Sequence, residues 1–149
     1  MGRHLTQDIK AISGLDAVAL SATTNGIVID TAGYESLVFT LNVGDFVTFD
    51  GTNNLAIKVQ EGEQANLSDA ADIAAADYLD ARNEAGAAWD RLLNAAAEDE
   101  QAYMIGVAVN TKRYRRIVVT EAGIVSVPIS VTAVLGHPRH APAGVTQQP

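Results

Sequence analysis

Apolar and polar residues alternate along most of this chain. Ser36 to Asn42 puts Leu37, Phe39 and Leu41 on one face of a strand, and Leu55 to Glu61 does the same with Leu55, Ile57 and Val59. Ala17 to Ser21 and Ile27 to Asp30 are shorter strand candidates, separated by the turn signal Asn25-Gly26. Gly44-Asp45 punctuates the chain, Phe46 to Phe49 resumes a strand, and Asp50-Gly51 opens another turn. Later come Ala102 to Val109, a turn at Asn110-Thr111-Lys112, and a strand from Tyr114 to Glu121. In that strand Ile117 and Val119 share one face, while Val118 and Thr120 share the other. Ala122-Gly123 turns again, and Val125 to Leu135 reads as a last strand, with Pro128 suited to its start or to an edge.

Residues 62–100 read differently, being rich in alanine and acid and poor in β-branched side chains. Asn66-Leu67-Ser68-Asp69 is a capping signal, and Trp89, Leu92, Leu93 and Ala96 stand at helical spacings. These features predict some helix between residues 69 and 97, interrupted at Gly86. A strand over Ala88 to Leu93 is the alternative.

Roughly seven to nine short strands follow from this pattern, a mainly β, jelly-roll-like β-sandwich with a short α-helical, Ala-rich insertion. The predicted organisation is an N-terminal arm over 1–12, a sandwich over 13–135 with its insertion at 69–97, and a C-terminal arm over 136–149. Gly136, Pro138 and Pro142 are expected to keep the last segment out of any ladder.

Composition narrows the function. The 149 residues include no Cys, which excludes disulfides, thiolate metal sites and a Cys nucleophile. The net charge of −8 is unevenly spread: residues 45–110 carry 13 acids against 3 bases, whereas residues 111–149 carry a net +4. Such a field argues against nucleic acid as a partner. No secretory signal is expected behind Met1–Asp8, and no apolar run approaches membrane-spanning length, so no membrane partner is expected either.

Chemistry-bearing clusters are few. Asp69, Asp72, Asp77, Asp80, Glu84 and Asp90 read as a solvated acidic face. Asp45 to Gly51 lacks calcium-loop spacing. His137 and His140 flank Pro138 and Arg139 with no third metal ligand nearby, so they read as donors to a partner surface. The run Lys112-Arg113-Tyr114-Arg115-Arg116 reads as an interface or ion-paired strand. The chain has no GxSxG, HExxH, Walker A or GxGxxG motif, and no enzyme and no cofactor are expected.

The stretch from Ala96 to Ala143 resembles a family of tailed-phage head proteins. The resemblance runs through Ala97-Glu98-Asp99, Tyr103-Met104-Ile105-Gly106, Lys112-Arg113-Tyr114, Ile117-Val118-Val119-Thr120 and Pro128-Ile129-Ser130. It closes with Val134-Leu135-Gly136-His137-Pro138-Arg139-His140-Ala141-Pro142. Leu41-Asn42-Val43-Gly44 and Phe49-Asp50-Gly51-Thr52-Asn53 are similar to the same family more loosely. The Ala-rich stretch from Asp69 to Asn94 departs from the family pattern, in which β-type residues are commoner.

This resemblance implies a capsid decoration, or cement, protein of a tailed-phage-like or gene-transfer-agent particle. Such proteins are made in the host cytoplasm and sit on the outer capsid surface. They bind the major capsid protein, often as homotrimers, and bridge neighbouring capsomers. Candidate partner-binding residues are Arg3, His4, Lys112, Arg113, Arg115, Arg116, His137, Arg139 and His140. A carbohydrate-binding jelly-roll module and a tail or head-completion component are the alternatives.

Overall fold

The structure is a computed structural model that describes residues 5–46, 48–109, 112–124 and 126–140. Its strands are β1 (Ile9–Leu20), β2 (Thr24–Asn25), β3 (Ile29–Asp30), β4 (Tyr34–Val43), β5 (Asn54–Gly62) and β6 (Ala71–Asp72). They continue with β7 (Tyr78–Asn83), β8 (Leu92–Leu93), β9 (Ala102–Ala108), β10 (Tyr114–Ala122) and β11 (Val127–Pro138). All pairings are antiparallel. One sheet has the order β1-β11-β4-β9-β7; the other runs β2-β10-β5-β6, with β3 also on β10 and β8 also on β5.

The period-2 pattern explains how the sheets stack. Leu37, Phe39, Leu41 and Val43 are buried while their neighbours along β4 are not. The same alternation holds at Leu55, Ile57 and Val59, and at Tyr103, Ile105 and Val107. Inward residues of both sheets join one apolar cluster, with Phe39 and Ile105 from the first sheet and Val59, Ile117 and Val119 from the second fully buried. The two-sheet β-sandwich expected from the alternation is therefore what forms.

The helical insertion is not. The described residues contain no α-helix, only 3-10 turns at Leu5–Gln7 and Ala75–Asp77. Residues 71–93 instead lie along exposed sheet edges: β6 and β8 pair with β5, and β7 pairs with β9. A lone Ala-rich helix is marginal in water, whereas the edges of β5 and β9 offer unpaired backbone groups. The apparent helical stripe is a coincidence of spacing. Trp89 and Leu93 are buried but Ala96 is exposed, and Leu93 faces Leu55 across a strand pair.

Two other expectations shift. Phe46, Thr48 and Phe49 are not in a strand; the rings of Phe46 and Phe49 pack at 4.7 Å, which buries Phe49 through a loop. The proposed arms are shorter than predicted, because Ile9 pairs with Gly136 and Pro138 with Tyr34. Proline survives there because it stands last in β11, where its missing N–H ends the ladder. Pro128, second in β11, pairs with Ala19, and its carbonyl accepts from Gly44 N–H at 2.7 Å.

The Asn25-Gly26 signal has a steric cause. A Cβ on Gly26 would lie 2.4 Å from the Gly14 carbonyl oxygen, so the chain crosses β1 closely only because that residue is glycine.

Phe39 has no exposure and lies on an interior strand of its sheet. Phe39→Ala should lower unfolding free energy by about 3–5 kcal/mol, read from urea unfolding curves.

Candidate functional site: the basic run and the end of β11

The basic run enters β10, whose register on β5 is continuous from Tyr114↔Gly62 to Ala122↔Asn54. That register sets Arg115 directly opposite Glu61 and Arg116 opposite Gln60. Arg115 shares the inward parity of Ile117 and Val119, so its guanidinium points into the sandwich.

Arg115 is 1% exposed, which corrects its assignment as a surface docking residue. Its Nη2 meets Glu61 Oε2 at 3.0 Å and donates to the Ala108 carbonyl at 3.2 Å. Its Nη1 donates to the carbonyls of Lys112 and Tyr114. Its Nε finds no hydrogen-bond partner among the described residues. Burial pulls the Arg115 pKa down, opposed by the charges of Glu61 and Asp77. The side chain thus gathers the carbonyls at both ends of the β9–β10 connection.

The other bases of the run are also engaged within the chain. Arg113 forms a two-point pair with Asp30, Nε to Oδ1 at 2.8 Å and Nη2 to Oδ2 at 2.7 Å. The Arg113 hydrogen bond holds the Asp30 carboxyl below its ordinary value of 3.8, against a smaller opposing effect of burial. Lys112 Nζ reaches Glu63 at 3.1 Å. Arg116 donates twice to Gln60 Oε1, at 3.0 and 2.8 Å, and Gln60 passes its own N–H to Asp72, which also binds Lys58. Bases and acids on the outer side of this sheet therefore balance one another locally.

The end of β11 is less committed. His137, Arg139 and His140 are exposed. Arg139 Nε lies 4.0 Å from Glu35 Oε1, with both side chains about two-thirds exposed, so this contact is weak and replaceable. His137 sits at φ +50°, a left-handed backbone uncommon outside glycine, and its Nδ1 hydrogen-bonds Ser36 Oγ at 2.9 Å. Beside them runs a groove of about 690 Å³ lined by Leu5, Ile9, Val38, Val134 and Pro138. Arg3 and His4 lie outside the described residues.

Two further observations bear on chemistry. Among the described residues no three His, Asp or Glu side chains stand where one metal ion could be held, and no helix is long and apolar enough to cross a membrane.

The architecture has a known counterpart. The structure is similar to the crystal structure of the SPBc2 prophage-derived protein YomS, with a TM-score of 0.51 and 11% identity, over 87% of this chain and 94% of that one. At that identity the likeness is one of fold. No family model matches the sequence, and no curated protein matches it.

Sequence reasoning placed the basic run on a strand but missed its partners Glu61, Asp30 and Gln60. The signal was present: counting in twos from Val59 reaches Glu61, and counting back from Ile117 reaches Arg115.

Two outcomes follow. Arg115→Met removes the buried cation opposite Glu61 and should cost about 3 kcal/mol or more, with Glu61→Met in the same chain restoring part of it, measured by denaturant unfolding. Asp30 is more acidic folded than unfolded, so its contribution is present above pH about 4 and is lost as pH falls through the folded value. Stability should therefore drop less on acidification to about pH 3 in Asp30→Asn than in wild type, seen in paired urea titrations.

Proposed function

We propose that this chain is a non-enzymatic structural protein of a tailed-phage-like or gene-transfer-agent particle. It is made in the host cytoplasm, lies on the outer capsid surface, and bridges neighbouring capsomers by binding the major capsid protein. The observation that carries this reading is fold likeness to a prophage-derived protein along nearly the whole of both chains. It agrees with the resemblance of the C-terminal third to phage head proteins.

The distribution of charge supports a protein partner. Lys112, Arg113 and Arg115 each face an acid of the same chain, which leaves little uncompensated positive charge for a phosphate backbone. The exposed bases at the end of β11 are the docking candidates that remain. Arg139 is held only at 4.0 Å by Glu35, so it is available to a carboxylate on an adjacent surface. On a shell, the copies associate as trimers at three-fold positions.

Imaging of purified particles made with and without the gene tests this reading. Many copies over the outer shell are expected, and they should vanish with the gene. Absence of the protein from particles, or a few copies at one vertex, would overturn it. Arg139→Glu combined with His140→Glu should weaken recapture by stripped particles by about five- to tenfold and leave the melting temperature unchanged.

A further inference from the structure

The edges of the first sheet are unequal. On β7 the outer side is covered from Ala81 to Asn83, because Asn83 N–H donates to the Ala87 carbonyl and Trp89 N–H to the Ala81 carbonyl, both at 2.9 Å, and the register shifts between Tyr78 and Asp80. Along the second half of β1 the register shifts between Ser13 and Leu15 and again between Leu15 and Val18, and Ile27 N–H occupies the Gly14 carbonyl at 2.7 Å. In the second sheet the outermost strands β2, β3, β6 and β8 are each two residues long. This leaves Ile9 to Ser13, regularly paired with 132–136 on one side, as the longest uncovered regular edge among the described residues.

That edge is flanked by the acids Asp8 and Asp16, the latter accepting from Ser13 Oγ at 2.6 Å, and by exposed apolar side chains. Five large hydrophobic side chains are conspicuously exposed: Leu5 at 71%, Val18 at 42%, Ile27 at 41%, Leu79 and Met104. Three of them frame β1, with Leu5 before its start, Val18 near its end, and Ile27 bonded alongside at Gly14. In a chain of net charge −8, Ile9 to Ser13 carries a single charge, the cation Lys10.

We infer that Ile9–Ser13 pairs antiparallel with the same segment of a second copy, about a two-fold axis at Ala11. Alternate residues of an edge strand send both N–H and C=O outward, so the segment is its own complement. In that register Ile9 of one copy faces Ser13 of the other, and Lys10 faces Ile12, so no like charges stand opposite. Antiparallel pairing also carries Leu5 of each copy toward the Val18 and Ile27 end of its mate, covering the apolar residues at both ends. The contact fuses two five-stranded sheets into one continuous sheet. It does not rest on the capsid reading, since it belongs to the free protein, and it leaves three-fold association on a shell to other surfaces.

Sedimentation of the free full-length protein up to about 100 µM tests this pairing. Wild type should sediment as a dimer. Ala11→Glu and Ala11→Lys each set like charges across the axis and should weaken association at least about tenfold, with circular dichroism unchanged. Mixing the two variants should restore a dimer containing one of each. Leu5→Asp, outside the strand, should also weaken association and guards against a folding defect at position 11. A wild-type monomer throughout that range, a trimer, or a dimer indifferent to both Ala11 substitutions and to Leu5→Asp would overturn the inference.

Discussion

The pairing of β5 with β10 is the constraint on which much else depends. Nine consecutive residue pairs hold the two strands in a single register without a bulge. That register closes the centre of the second sheet over Ile57, Val59, Ile117 and Val119. It also brings two ionisable side chains face to face on the core side at one end, Arg115 and Glu61. A slip of one residue would turn the arginine outward and send Val118 and Arg116 inward. The ion pair and the hydrophobic pattern therefore specify the same alignment, which is the agreement between levels that selects one structure over its near neighbours.

The longer strands were legible because their alternation is strict. Residues 36–42, 55–61, 102–109 and 114–121 read as strands, and the ends of each fall within two residues of an observed one. The insertion was not legible, because its apolar residues are too sparse to show a period. Trp89 and Leu93 satisfy a helical spacing, yet extended backbone seats both, with the Trp89 ring 4.2 Å from that of Tyr103 and its Nε1 donating to the Leu92 carbonyl. Edge strands of two residues leave no pattern at all; they exist because a longer strand lends them hydrogen bonds. The terminal arms were overdrawn for a related reason. Gly136 and Pro138 are poor strand residues by propensity, but β4 offers a partner at both, so the ladder runs through Gly136 and ends only at Pro138.

For the candidate site, residue type was informative and exposure was not. The four bases between Lys112 and Arg116 look alike in sequence and meet four different fates: a surface pair, a two-point pair, a buried lock and an amide-linked network. What separates them is parity relative to the core and the residue opposite in the next strand. Charge at the end of β11 is weakly committed because Arg139 lies past the last residue of the strand, where its ion pair with Glu35 is 4.0 Å long. The two outer faces of the sandwich thus differ in kind. The β5–β10 face is tied down by its own ions, while the face beside β11 carries the groove and the replaceable contacts.

The buried guanidinium also orders events in time. Arg115 holds the carbonyls of Ala108, Lys112 and Tyr114 together, but its charge is compensated by a carboxylate that lies 54 residues earlier in the chain. Before β5 arrives, that side chain is better off hydrated, so the short connection from β9 in one sheet to β10 in the other gains little from closing early. A turn that looks local is consequently conditional on a distant strand. The chain must close a long loop before its nearest-neighbour contacts are rewarded, which is a route to slow, cooperative folding with no stable half-built sheet.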